Sequence, residues 1–262
     1  MIKVLNRDKQ LVIGVGACAI FSVLLVWYLA ATFTRVSLFF PPPQRVFARF
    51  AEAIVTPIGR HTLPFHVAWS LRRVFIGFGL SSVSGIIIGV AMGYSKTINA
   101  IIRPIFNIIR PIPGLAWIPL AILWFGIGEA STYFIIFMGG FANIVLNCYD
   151  GMNKVNPTLV GAAELLGANK VQIFFHIILP SATPYIFAGL QVSLSTSWMA
   201  VLAAEMISSR EGAGWIITMG MNGGDTVLIM VGMISIAIVG FVLANGMRIL
   251  ERRLCSWTVR GK

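Results

Sequence analysis

The stretch VFIGFGLSSVSGIIIGVAMGY, residues 74–94, runs from Val74 to Tyr94 without a charged side chain. Its length is about what a helix needs to cross some 30 Å of hydrocarbon, roughly twenty residues. Ser81, Gly85, Gly89 and Gly93 recur at every fourth position, so one helix face carries no bulk. In lipid, such a face lets a neighbouring helix approach closely, and the stripe predicts packing within the subunit in preference to a solute path.

Outward from this stretch, apolar runs of the same kind occupy about 11–31, 107–125, 131–148, 182–207 and 227–250. With 74–94 they make six, and the chain reads as an all-α polytopic membrane protein forming a single transmembrane domain over 1–262. Composition agrees: 57% of the 262 residues are hydrophobic and 11% charged, and mean hydropathy is +0.86. A soluble domain has a far more even mixture. The first run follows Lys3, Arg7 and Lys9 and exceeds the 7–15 residue core usual for a cleaved leader, so a retained span is predicted. Residues 32–64 are polar, broken by Pro41, Pro42, Pro43, Pro57 and Pro64, and carry Arg35, Arg45, Arg49 and Arg60. They predict an extracytoplasmic segment with short amphipathic pieces resting on headgroups. Pro111, Pro113 and Pro119 interrupt the third run. Such breaks are tolerated where protein or a water-filled cavity satisfies the freed backbone groups.

The net charge of +11, from 20 Lys and Arg against 9 Asp and Glu, belongs to the cationic bias of cytoplasmic loops and anionic headgroups. No basic patch is interleaved with aromatics as in a nucleic-acid binder. Lys and Arg concentrate in 96–110, 150–179 and both ends of the chain, which predicts those parts on the cytoplasmic side. Cys18, Cys148 and Cys255 are far apart and suit neither a disulfide framework nor a zinc site.

The interior polar stretch GAAELLGANK, 161–170, followed by VQIFFHIILP, 171–180, is unlike an ordinary loop. The pattern predicts a short helix over 158–167 ended by Gly167 in a left-handed C-cap, then an amphipathic piece before Pro180 opens the next span. Such a helix could be a docking knob or a surface segment resting on headgroups. It resembles the EAA loop of binding-protein-dependent ATP-binding-cassette importer permeases, in which Glu-Ala-Ala is followed by three residues, Gly, nine residues and Ile-x-Leu-Pro. Ala162, Ala163, Gly167, Ile177, Leu179 and Pro180 match with both spacings kept; Gly161 replaces the glutamate, and Glu164 is the nearest acid. Phe40-Pro-Pro-Pro43, Ser70-Leu-Arg-Arg-Val74, Pro111-Ile-Pro113, Trp117-Ile-Pro119, Ala203-Ala-Glu205 and Gly212-Ala-Gly214 also look like the sulfonate/nitrate/taurine branch of that superfamily.

The resemblance implies a type I (MetI-like) permease of the bacterial inner membrane, with both termini cytoplasmic. It further implies a second permease copy, cytoplasmic ATPases gripping Gly161, Ala162, Ala163, Glu164, Leu165, Leu166, Gly167 and Ala168, and an external protein delivering a small anion. No GxxxxGK[ST] phosphate loop occurs, so ATP hydrolysis is expected from a partner, and no cofactor is called for.

Intramembrane polar groups are candidates for the translocation path. They are Ser193, Thr196 and Ser197 on the fifth run, with Met199 beside them as a further path candidate, and Glu205, Asn107 and Asn143. Each has a plainer role: hydroxyls bond back to helix carbonyls, asparagines bond between helices, and Glu205 pairs with Arg210 or meets interfacial water. Arg72 and Arg73 are expected to snorkel. A gradient-driven carrier or channel is the alternative, but that class more often shows buried acid or histidine relays, which are scarce here, and it would not need the EAA-like loop; a membrane enzyme would show a polar catalytic cluster inside the spans, and none stands out.

Overall fold

The computed structural model describes residues 2–33 and 39–255, with side chains described from residue 14 onward. Arg35, Arg260 and Lys262 lie outside the described residues, as do the side chains of Lys3, Arg7 and Lys9. The helices are α1 (Ile2–Phe33), α2 (Pro43–Val55), α3 (Leu63–Tyr94), α4 (Lys96–Ile109), α5 (Ile118–Phe125), α6 (Glu129–Asn153), α7 (Pro157–Leu165), α8 (Lys170–Ile173), α9 (Leu179–Ser208), α10 (Ala213–Gly223) and α11 (Thr226–Leu254). Five segments are long and apolar enough to cross a membrane, and α4 with α5, bent by 84° at their junction, make a sixth if the pair is one span.

The chain divides into two compact units, one of residues up to Pro64 with Ile216–Ile234, the other of Phe65–Trp215 with the chain from Ser235 onward. In the first, the Trp27 ring lies tilted against Phe40 and Phe47, and its Nε1 donates to the Pro41 carbonyl at 3.0 Å. The amphipathic helix α2 buries Val46 and Ala53, while Arg49 and Glu52 pair at 2.9 Å on its wet face.

In the second unit, α3, α6 and α9 pack side by side. The small-residue stripe of α3 lies directly on α6. A Cβ added at Gly77 would come within 2.6 Å of Ile136, at Gly85 within 2.9 Å of Ile144, and at Gly89 within 2.6 Å of Cys148. Val74, Ile136, Leu194, Trp198 and Val201 fill the seam.

Three boundaries differ from the sequence reading. Helix α3 starts at Leu63, well before residue 74, because His66, Ser70 and Arg73 are partnered inside the protein and do not end the helix. The basic stretch 96–110 is a helix, capped by Ser95 Oγ accepting from Ile98 N–H at 3.3 Å, and the third span is interrupted after Ile109. Pro111 and Pro113 remove two donors there, and a 3₁₀ turn at Gly114–Trp117 restarts the chain into α5. The Gly-rich loop after residue 208 contains α10.

Candidate functional site

Three features of the second unit carry polar or exposed groups that packing alone does not explain. The first is the broken span. A cavity of about 310 Å³ opens at the α4–α5 break. Arg110, Pro113 and Gly114 form one wall, Asn143 of α6 another, and Thr196 and Met199 of α9 a third. Asn143 Nδ2 donates to Thr196 Oγ1 at 3.2 Å, and that hydroxyl donates back to helix carbonyls. A second cavity of about 130 Å³ is lined by Asn107, Arg103, Arg110, Tyr149 and Asp150. Four residues singled out in the sequence thus line these cavities: Asn143, Thr196 and Met199 in one, Asn107 in the other.

The remaining three sit elsewhere. Ser193 and Ser197 are fully buried and crowd Gly140 together with Ser81. Ser197 Oγ donates to the Ile136 carbonyl at 3.3 Å, and Ser193 Oγ is buried without a partner among the described residues. Alternate faces of one helix therefore have different fates: Thr196 and Met199 point to the cavity, Ser193 and Ser197 into the α3–α6–α9 seam.

Glu205 belongs to the second feature, a buried charge cluster. It is 0% exposed and pairs with Arg73, not Arg210. Arg73 Nη1 donates to Glu205 Oε1 at 2.8 Å and to the Glu211 carbonyl at 2.7 Å, while its Nε donates to Glu129 at 3.0 Å. Ser70 Oγ lies 2.8 Å from Glu205 Oε1 and accepts from Ala213 N–H at 2.9 Å. Gly214 N–H donates to Glu205 Oε2 at 3.0 Å, and Gly212 N–H to His66 Nδ1 at 3.1 Å. Three successive amides that open α10 are thus satisfied by one side chain each. They also place a carboxylate at a helix N-terminus, where the peptide dipoles favour negative charge. Gly212 has φ +122°, and a Cβ there would strike the Glu205 carboxyl group. Arg73 does not snorkel; it is 4% exposed, whereas Arg72 stacks over Trp69 at 4.8 Å. His66, Ser70 and Arg73 were legible only as a helical continuation of the Gly77, Ser81 and Gly85 face.

The third feature, α7, lies at the other end of the α6–α9 pair. Asn156 Oδ1 accepts from Thr158 N–H at 2.9 Å to open the helix. Gly167, at φ +82°, closes it, with Ala168 N–H donating to the Ala163 carbonyl and Gly167 N–H to that of Glu164, both at 3.0 Å. This is the paired C-cap bonding that a left-handed glycine permits. Asn169 and Gln172 then cap α8 reciprocally. The result is a helical hairpin, capped at each turn, that holds Leu165 and Leu166 outward, 92% and 89% exposed.

The family model for the binding-protein-dependent transport system inner membrane component matches residues 82–255. The chain belongs to that family. Its relatives include the taurine transport system permease protein TauC of Escherichia coli (strain K12), 36% identical over 95% of this chain and 91% of that protein. The nitrate import permease protein NrtB of Synechocystis is 33% identical over 90% of this chain and 86% of that protein. Among solved structures, an inward-facing MetNI methionine ABC transporter chain shares the fold at a TM-score of 0.60, with 19% identity over 72% of this chain and 94% of that one. The chain is thus a multi-pass ABC importer permease with the type I fold. The permease match spans the Gly89–Cys148 contact, both cavities, Glu205 and the α7 hairpin, and leaves α1 and α2 outside.

Proposed function

We propose that this permease forms the membrane half of an importer for a small oxyanion of sulfonate or nitrate type, with ATP hydrolysis supplied by cytoplasmic partners and cargo delivered by an external binding protein. A second copy of the chain completes the path, both termini face the cytoplasm, and Asn107, Asn143, Thr196 and Met199 belong to the path. The relatives that transport taurine and nitrate support the cargo class.

The observation that carries the coupling role is the outward pair Leu165 and Leu166 on a helix capped at both ends. Two apolar side chains held almost fully exposed between spans fit a partner's hydrophobic socket, and losing a pair that acts as the hot spot of an interface costs about 2 kcal/mol of binding, about 30-fold. Gly161, Ala162, Ala163, Glu164 and Ala168 complete the knob; none of its contacts needs a glutamate at Gly161, where a Cβ would meet nothing within 4 Å.

The test is co-purification in detergent with a co-expressed ATP-binding-cassette ATPase. The Leu165→Asp/Leu166→Asp chain is expected to capture the ATPase about 30-fold less well while keeping its thermal transition, because both side chains are exposed. Undiminished capture would remove α7 as the coupling element.

A further inference from the structure

We infer that Arg110 is the charge-selecting residue of the path, binding the anionic group of the cargo at the break between α4 and α5. The inference rests on the importer reading and adds a named site to it. Of the described residues that line them, Arg110 alone is common to both cavities, so a solute passing from one to the other passes Arg110. Among the described residues Arg110 makes no ion pair, unlike Arg73. Arg103, the other cation in the smaller cavity, is already engaged over the Tyr149 ring at 5.8 Å.

The surroundings suit an oxyanion. The guanidinium offers planar paired donors that match sulfonate, nitrate or carboxylate oxygens. Asn143, whose amide donates to Thr196 at 3.2 Å, lines the same 310 Å³ cavity. That volume lies at the small end of the range for ligand sites. A break within an apolar span is itself a feature of solute sites, since irregular backbone persists in a membrane only beside protein or a water-filled cavity. Asp150 in the wall of the smaller cavity supplies an opposing charge beyond Arg110, so an anion bound at the break is not held at successive sites of equal strength.

The experiment measures thiol modification of the purified permease carrying Met199→Cys in a Cys18→Ser background; Cys148 and Cys255 are buried. The probes are 2-sulfonatoethyl methanethiosulfonate and its trimethylammonium analogue, each rate divided by that for a free thiol. With Arg110 intact the sulfonate reagent is expected to win by on the order of ten-fold, and the preference should shrink as salt rises. Arg110→Gln should erase it, Arg110→Lys should keep most of it, and Arg103→Gln should change it little. A ratio equal in the Arg110 and Arg110→Gln chains overturns the inference, as does a cysteine at 199 that reacts with neither reagent. Should Arg110→Gln not fold, a preference in the intact chain that salt leaves unchanged overturns it equally. Labelling needs no ATPase, binding protein or cargo, so its failure leaves the α7 capture result standing, and a failed capture leaves the labelling result readable.

Discussion

Glu205→Ala is expected to destabilise the permease by about 3–5 kcal/mol, the usual consequence of removing one partner from a buried ion pair. The cost arises from what remains. Arg73, 4% exposed, would keep the Glu211 carbonyl and, as its one carboxylate, Glu129, whose side chain is 43% exposed and shares its interactions with solvent. Gly214 N–H and Ser70 Oγ would lose an acceptor in a site closed to water, which adds to the loss. Glu205→Gln keeps the volume and one carbonyl acceptor, so about 1–3 kcal/mol is expected. The double substitution Arg73→Ala/Glu205→Ala should cost clearly less than the sum of the singles, because no unpaired charge is then left inside. Thermal unfolding in detergent, followed by size-exclusion recovery, reads all four chains. Strict additivity would mean that Arg73 and Glu205 do not depend on one another, contrary to their 2.8 Å contact.

Gly89→Leu is the second large effect, expected at about 3 kcal/mol, the upper end for overpacking a filled interior. At Gly89 a Cβ would lie 2.6 Å from both the Cys148 Cβ and the Val145 carbonyl oxygen, and 3.1 Å from the Val145 Cα. Two of those atoms are backbone, so relief requires α3 to move away from α6. Gly79, ten residues earlier in the same helix, has nothing within 4 Å of such a Cβ. Gly79→Leu should be neutral or stabilising by up to about 1 kcal/mol, since leucine is the better helix former. The two substitutions are chemically identical, so a difference in thermal transition of opposite sign isolates packing. Equal effects would show that the α3–α6 contact is looser than the glycine stripe implies.

These expectations divide according to the range of the forces behind them. Local and periodic properties could be read along the chain. Hydrocarbon thickness sets the length of an apolar run, so 74–94 and its fellows were legible as spans without any partner in view. The four-residue rhythm of Ser81, Gly85, Gly89 and Gly93 marks a bare helix face whatever packs on it, and α6 is what packs there. Gly167 as the end of α7 follows from its backbone freedom alone, and its φ of +82° is that conformation.

What the tertiary structure decided concerns groups that meet across helices. Arg73 and Glu205 are 132 positions apart and Arg73 and Glu129 are 56, so no periodicity links them. Hydropathy treats each as a cost to burial, which is why it starts the span near residue 74 and turns Arg73 toward water. Likewise, three hydroxyl residues of the fifth span share one local pattern, and only the rotation of α9 against α6 turns Thr196 toward a cavity and Ser193 and Ser197 into a seam. Prolines announced a break near residue 111, but the 84° bend that makes Arg110 common to two cavities depends on where α4 and α5 rest against α6. Sequence by itself determined which segments enter the membrane, because the bilayer acts on each segment alone; the structure determined which charges and hydroxyls are partnered, because that depends on neighbours distant in the chain.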